Sequence, residues 1–106
     1  MIQLTTEELK SKIEKKENFL LDFYATWCGP CKVLMRNLTE VDEKLKKENN
    51  TKYSIYKFDI DSDREFVVNQ LEIKSVPTLK LFKEGKEVFS NPGVVSTNQI
   101  LSLLEN

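Results

Sequence analysis

The stretch that decides the fold is Tyr24–Lys32, which reads YATWCGPCK. It contains both cysteines of the 106-residue chain, Cys28 and Cys31, and its only tryptophan, Trp27. Residues three apart on a helix lie on one face, with Cβ atoms roughly 5–6 Å apart. Two cysteines placed in this way form and break a disulfide with little movement of the backbone. The stretch therefore predicts a redox-active dithiol at the start of a helix.

The four residues of the Cys-Gly-Pro-Cys motif have separate predicted roles. Cys28 stands where the unpaired N–H groups and the dipole of a helix N-terminus favour an anion, so its thiolate is the predicted nucleophile. Cys31, one turn further and more buried, is the predicted resolving thiol. Pro30 suits the first helical turn, and Gly29 leaves room for a partner chain near the sulfur. The simpler alternative is a structural disulfide, but its loop is too small to contribute much entropy to stability.

Composition and charge exclude several classes of function. The length fits a single domain, residues 1–106. Acidic and basic residues are interleaved and the net charge is -1, which argues against nucleic acid or an anionic membrane as the main partner. No apolar run approaches the roughly 18 residues of a membrane span, and the first ten residues are too charged for a secretory signal. We therefore expect a cytoplasmic protein.

The chain contains no histidine, which narrows the possible chemistry further. A Cys-His nucleophile pair is excluded, and so is a haem attachment sequence, because Lys32 follows Cys31. A structural zinc site needs four Cys or His ligands, and this chain offers two. We expect no metal and no bound cofactor.

Hydrophobic periodicity predicts alternating helices and strands. The predicted elements are a brief strand at Met1–Leu4, a helix from a capping box at Thr5 to about Lys16, a buried strand at Phe19–Ala25, a helix from Cys31 to about Glu48, a strand at Tyr53–Ile60, a short helix from Asp63 to about Leu71, a hairpin of Pro77–Phe82 and Lys86–Ser90 around Gly85, and a helix from Thr97 through Leu104. This order predicts an α/β fold with a central mixed sheet and helices on both faces.

The sequence resembles the thioredoxin family. WCGPCK matches the family's active-site motif letter for letter, and LLDFYATWCGPCK, KFDIDSD, VPTLKLFKEGKEV and PGVVS follow the family's order and spacing over most of the chain. The resemblance implies the thioredoxin fold and a general protein thiol-disulfide oxidoreductase that acts as a disulfide reductant. It also implies disulfide-containing protein substrates and thioredoxin reductase as the electron donor. We further expect a monomer.

Two charged residues interrupt predicted buried strands, Asp22 in FLLDFYA and Lys57 in YSIYKFDI. A buried carboxylate is costly unless it is paired or protonated, and two opposite charges in adjacent strands can offset each other. The resemblance implies that Asp22 exchanges a proton with Cys31 and that Lys57 modulates Asp22. The alternative is that Asp22 lies at a strand edge and Lys57 reaches solvent.

The dipeptide Val76-Pro77 precedes a predicted strand, and a proline there marks the strand start. The resemblance implies more, namely a cis peptide bond packed against the active-site sulfurs, with the backbone of Val76 open to pair with substrate. It also implies a flat apolar contact surface made of Trp27, Gly29, Pro30, Ile60, Val76, Gly93 and Val94. Ordinary packing explains Ile60 and Val94 equally well.

Four residues depart from the family pattern. Arg36 replaces a frequent proline, Glu72 and Ser75 stand where many members have glycine, and Tyr24 replaces a tryptophan common in bacterial members. None touches the sulfur chemistry, so their effect is expected on partner choice.

Two alternative functions stay open: a more oxidising disulfide isomerase or oxidase, and an adaptor that binds through the apolar rim around Trp27. Gly-Pro between the cysteines favours the reducing type.

Overall fold

One mixed sheet forms the centre of the fold. The structure is a computed structural model that describes residues 1–105. The strands are β1 (Ile2–Gln3), β2 (Phe19–Tyr24), β3 (Ser54–Asp59), β4 (Thr78–Lys83) and β5 (Lys86–Pro92). Their spatial order is β1-β3-β2-β4-β5. β3 runs parallel to β1 and β2, whereas β4 runs antiparallel to β2 and β5.

Three α-helices accompany the sheet: α1 (Thr6–Glu14), α2 (Gly29–Lys47) and α3 (Thr97–Glu105). The predicted capping box at Thr5 is present, with Glu8 as its partner. α1 ends before the expected Lys16, because Lys16 adopts a left-handed φ of 57° that closes the helix. No helix within residues 1–105 is both long and apolar enough to cross a membrane.

The predicted short helix after Asp63 is more irregular than expected. A single 3₁₀ turn at Ile60–Ser62 precedes it, and the segment Phe66–Gln70 is π-helical. Arg64 and Glu65 are helical ahead of this segment, and the Asp63 carboxylate accepts a hydrogen bond from the Phe66 N–H at 3.2 Å. Asp63 therefore caps this helical turn, as predicted. The N-cap pattern at Asp63 located this element, but a capping residue carries no signal that separates a π-helical turn from an α-helical one.

Helices cover both faces of the sheet, as predicted. On one face, Leu34 and Leu38 of α2 pack with Leu20 of β2 in a cluster that also includes residues of α3. On the other face, Leu9 of α1 packs with Leu21 of β2. Successive strand residues point to opposite faces, so β2 is buried on both sides and Asp22, which alternates with Leu20, points toward α2.

The β4–β5 hairpin turns at Glu84-Gly85, where φ is 52° and 75°. Two positive φ values are typical of a type I′ turn, which matches the twist of the flanking strands. The Gly85 N–H donates to the Glu17 carbonyl oxygen at 3.0 Å, which ties the turn to the segment after α1. A Cβ at position 85 would overlap the backbone carbonyl oxygen of Ile13. Gly85 is therefore required both by its φ and by this close approach.

We predict that Gly85→Ala destabilises the protein more than Gly93→Ala. Gly93 also has a positive φ, 95°, but an added Cβ there meets nothing within 4 Å. Gly93→Ala should cost about 1–3 kcal/mol from the backbone alone, and Gly85→Ala should add roughly 1–3 kcal/mol for the overlap. Urea unfolding of both variants measures the difference. Equal losses would show that the contact with Ile13 relaxes without cost.

Candidate active site

The two cysteines meet where β2 ends and α2 begins. Cys28 is the N-cap of α2, and its sulfur accepts a hydrogen bond from the Cys31 N–H at 3.2 Å. The two sulfurs lie at disulfide distance and the Cα atoms are 5.3 Å apart. Pro30 lies in the first turn, where its missing N–H costs nothing. The N-terminal position of the first sulfur is the arrangement that stabilises a thiolate when the pair is reduced.

Both cysteines lie in a small apolar cluster with Ala25. Cys28 is 6% exposed and Cys31 is 3% exposed. Ile60 and Val76 pack against this cluster, so two members of the predicted contact surface do lie beside the cysteines. Val94, another predicted member, is exposed.

Trp27 stands beside the cysteines with 64% of its surface exposed. Its Nε1–H donates to the Asp61 carboxylate at 2.9 Å, and Asp61 also accepts from the Arg64 Nε at 2.7 Å. These hydrogen bonds, the one from Trp27 first, lower the pKa of Asp61. Trp27 and Ile60 line a groove of about 230 Å³ that extends to Val76. An exposed indole is thus held in one orientation as a wall of a groove.

The loop before β4 forms the opposite border of the site. The Val76-Pro77 peptide bond is cis, as the resemblance implied. Gly93 donates its N–H to the Pro77 carbonyl oxygen at 2.8 Å, which ties the loop to the end of β5. The N–H and C=O of Val76 make no backbone hydrogen bond within residues 1–105. The space around Gly29 and Gly93 is open, so the surface beside the sulfurs is accessible to an extended chain.

Asp22 lies within the sheet on the face that α2 covers. It is 0% exposed, and neither of its carboxylate oxygens has a hydrogen-bond partner among the described residues. Burial raises the pKa of Asp22 to about 7, and the positive charge of Lys57 opposes this shift. Asp22 is thus buried between two neighbouring strands, and the alternative of a strand-edge Asp22 is excluded. A carboxyl group with this pKa accepts and releases a proton near neutral pH.

Lys57 lies directly beside Asp22 in the register of β2 and β3. Its Nζ atom lies 5.5 Å from the centroid of the Tyr24 ring. The Tyr24 hydroxyl donates to the side-chain oxygen of Gln3 in β1. The structure thus brings Lys57 and Asp22 together without a direct hydrogen bond between them.

The departures from the family pattern have simple structural outcomes. α2 runs without interruption through Arg36, which is exposed. Glu72 keeps a positive φ of 55°, the conformation that a glycine adopts readily. The Ser75 carbonyl oxygen accepts a hydrogen bond from the Thr78 hydroxyl at 2.8 Å.

The sequence reasoning missed Asp61 and Arg64 as partners of Trp27. One signal was available. Asp61 follows the end of β3, and the carboxyl ends of the parallel strands β2 and β3 lie at one edge of the sheet, where the cysteine motif also begins.

The comparisons with known proteins agree with this geometry. The thioredoxin family model matches residues 1–106. A thioredoxin of Chlamydia trachomatis is 38% identical over 104 residues, which cover 98% of this chain and 96% of that protein. The chloroplastic thioredoxin Y of rice (Oryza sativa) is 37% identical over 100 residues, or 94% of this chain, and this chain spans 55% of its length. The oxidised mitochondrial thioredoxin 3 of Saccharomyces cerevisiae superimposes with a TM-score of 0.81 at 26% identity, over 100% of this chain and 95% of that one.

We predict that Asp22 makes stability depend on pH. Its folded-state pKa of about 7 lies above that of an unfolded aspartate, so the folded state tolerates the carboxyl group best when it is protonated. The free energy of unfolding of the oxidised protein should therefore fall as pH rises from about 4 to about 7. Asp22→Asn should remove this dependence of the free energy of unfolding on pH. At pH 8 the variant should be more stable than the wild type by up to about 4 kcal/mol, since one pKa unit is worth about 1.4 kcal/mol.

Urea unfolding between pH 4 and pH 9 measures the slope, and Asp42→Asn is the matched control. Asp42 pairs with Lys46 on the surface of α2, so its loss should cost well under about 1 kcal/mol at any pH. If the free energy of unfolding depends on pH in the same way in the wild type and in Asp22→Asn, ionisation of Asp22 does not destabilise the folded protein and the prediction is wrong.

Proposed function

The chain belongs to the thioredoxin family and is a thiol-disulfide oxidoreductase, and we propose that it acts as a general reductant of protein disulfides through Cys28 and Cys31. The observation that carries this proposal is the position of Cys28 as the N-cap of α2 with Cys31 at disulfide distance one turn later. A reduced pair in this geometry has one sulfur stabilised as a thiolate and a second sulfur within reach of it.

The reaction takes two exchange steps. The Cys28 thiolate attacks one sulfur of a substrate disulfide, forms a mixed disulfide and releases the other substrate sulfur as a thiolate that takes up a proton. The Cys31 thiol then loses its proton to Asp22 and attacks the Cys28 sulfur. The second substrate thiolate leaves, and two electrons have passed from the pair to the substrate. The Cys28–Cys31 disulfide remains until a reductase returns two electrons.

Asp22 is the proposed proton acceptor for Cys31, and Lys57 modulates it. Three features support the role of Asp22: it points to the face that α2 covers, it has no competing hydrogen bond among the described residues, and its pKa is about 7. A base acts best when its pKa lies near the working pH. The Lys57 ammonium lowers the pKa of Asp22 and so keeps part of the population ionised.

The substrate is proposed to bind beside the sulfurs on a surface of apolar side chains and open backbone. Its proposed members are Trp27, Gly29, Pro30, Val76, Pro77 and Gly93. The N–H and C=O of Val76 make no backbone hydrogen bond within residues 1–105 and are suited to strand-like hydrogen bonds with an extended segment. Such bonds engage the main chain of a substrate whatever its sequence. This mode of binding fits a reductant with many substrates.

We further propose thioredoxin reductase as the electron donor, a monomeric state and a cytoplasmic location. A dithiol that donates electrons needs a compartment that keeps thiols reduced, which the cytoplasm provides.

We predict that Cys31→Ser traps substrates on Cys28. Without the resolving thiol, the mixed disulfide formed in the first step has no internal route to release. Incubation of the reduced variant with disulfide-bonded insulin should give a covalent adduct, visible by mass on a non-reducing gel and mapped to Cys28. The matched variant Cys28→Ser should give little adduct, since Cys31 lies one turn inside α2 and is the more buried residue.

The same pair of variants separates this proposal from the adaptor alternative. An adaptor would retain its partners in the Cys28→Ser, Cys31→Ser double variant and would form no adduct through Cys28. An adduct that maps to Cys31 would reverse the assigned roles. An equilibrium potential as oxidising as that of a disulfide oxidase would contradict the reducing direction.

We predict that Asp22→Asn slows release of the mixed disulfide near neutral pH, because the base for Cys31 is lost. The expected decrease in rate is about 100-fold, the lower end of the range for removal of a general base. Stopped-flow measurement of insulin reduction from pH 6 to pH 9 gives the rate. The deficit should shrink at high pH, where hydroxide deprotonates Cys31 without help. A uniform deficit at every pH would mean that Asp22 supports structure and transfers no proton.

A further inference from the structure

Tyr24 spans three strands of the sheet. It is the last residue of β2, two positions after Asp22, so both side chains point to the α2 face. β3 lies between β2 and β1, and Lys57 of β3 is in register with Asp22 on one side and with Gln3 of β1 on the other. The hydroxyl of Tyr24 donates to the side chain of Gln3. The tyrosine side chain therefore reaches from β2 across β3 to β1.

The Lys57 ammonium lies close to this ring. Its Nζ atom is 5.5 Å from the ring centroid, within the roughly 6 Å over which a cation is attracted to an aromatic face. A lysine side chain is otherwise flexible, and its half-buried position in β3 would let the ammonium turn toward solvent. The ring and its bond to Gln3 thus restrict where the positive charge of Lys57 stands.

The position of this charge matters because no other polar group among the described residues binds the Asp22 carboxylate. Its carboxylate oxygens have no hydrogen bond among the described residues, so Lys57 acts on Asp22 only through space. The strength of such an interaction depends on the separation of the two charges and on the medium between them. A group that holds the Lys57 ammonium in place therefore tunes the acidity of Asp22.

We propose that Tyr24 is a positioning residue that holds the Lys57 ammonium near Asp22 and thereby sets the pH at which Asp22 accepts the Cys31 proton. The proposal rests on the proposed role of Asp22 and adds to it the residue that adjusts that role. Tyr24 acts through Lys57 and does not itself exchange the proton.

Other charged groups face the same region and stay constant in the test. Asp59 of β3 is in register with Tyr24. Burial is the largest cause of the raised pKa of Tyr24, and the negative charge of Asp59 raises this pKa further. On α2, Lys32 and Arg36 line a groove that Tyr24 and Cys31 also border. Because none of these residues is altered, a change in the titration of Asp22 reports on Tyr24 and Lys57.

A second role for Tyr24 makes the opposite prediction. If the ring only covers Asp22, its removal admits water, lowers the desolvation cost and lowers the pKa of Asp22. If the ring positions Lys57, its removal weakens a favourable charge and raises the pKa of Asp22. The sign of the shift decides between the two.

The experiment titrates the Asp22 carboxyl carbon by NMR in the oxidised wild-type protein and in Tyr24→Leu, Tyr24→Phe and Lys57→Met. Tyr24→Leu should lower the acid dissociation constant of Asp22 about threefold, the size expected for a weak cation–π contact. Tyr24→Phe retains the ring and should therefore change the acid dissociation constant of Asp22 by less than Tyr24→Leu does. Lys57→Met should produce the largest decrease, and Tyr24→Leu should add nothing in the Lys57→Met background.

A rise in the acid dissociation constant in Tyr24→Leu would overturn the proposal, and so would an equal shift in the presence and absence of Lys57. If Tyr24→Leu does not fold, Gln3→Leu replaces it. Gln3 is exposed on the edge strand, and loss of its bond to Tyr24 should move the constant in the same direction. No shift in that variant would then refute the positioning role. Because the readout is the carboxyl titration, this result is independent of whether Asp22 acts in disulfide reduction.

Discussion

The burial of β2 on both faces of the sheet is the constraint on which the rest of the structure depends. α1 packs on one face of this strand and α2 and α3 pack on the other, so its direction and register are set by two apolar layers. A shift of one residue would exchange the faces of Leu20 and Leu21 and place Asp22 on the wrong side. The same strand leads directly into the Cys28 N-cap. The position of the sulfurs is therefore as well defined as the core itself.

The burial of β2 on both faces makes an ionised Asp22 energetically unfavourable. Every other position of β2 is apolar or aromatic, and a carboxyl group in the same environment is disfavoured when it is ionised. Lys57 offsets part of that cost but makes no hydrogen bond with the carboxylate. The buried Asp22 carboxyl group, whose ionised form is disfavoured, thus lies on the face of the sheet that the reactive helix α2 covers. Such a group is retained more readily for proton transfer than for stability.

The surface around the sulfurs is assembled from segments that are remote in the chain. Trp27 comes from the turn between β2 and α2, Asp61 from the 3₁₀ turn after β3, Val76 from the loop before β4, and Gly93 from the position directly after β5. Two hydrogen bonds join these segments: the indole of Trp27 donates to Asp61, and the N–H of Gly93 donates to the carbonyl oxygen of Pro77. The contact surface therefore depends on the completed fold and is not a property of the cysteine motif alone.

Local patterns determined a large part of this protein from the sequence. The apolar run of β2, the capping residues Thr5 and Asp63, the turn at Gly85 and the Cys28–Cys31 spacing each involve residues a few positions apart. Their outcome depends on backbone geometry that neighbouring residues control. The family resemblance added the cis bond before Pro77, which no local pattern indicates.

Tertiary structure alone decided how strongly Asp22 is perturbed, which residues hold Trp27, and how Tyr24 reaches Gln3 across Lys57. Each of these depends on burial or on distances between side chains that lie tens of residues apart. The charge of Asp22 is visible in the sequence, but its pKa is set by how completely α2 and the neighbouring strands exclude water from it. Hydrophobic periodicity indicates that a position is buried in the core. Only the packed structure determines which polar groups lie next to that position.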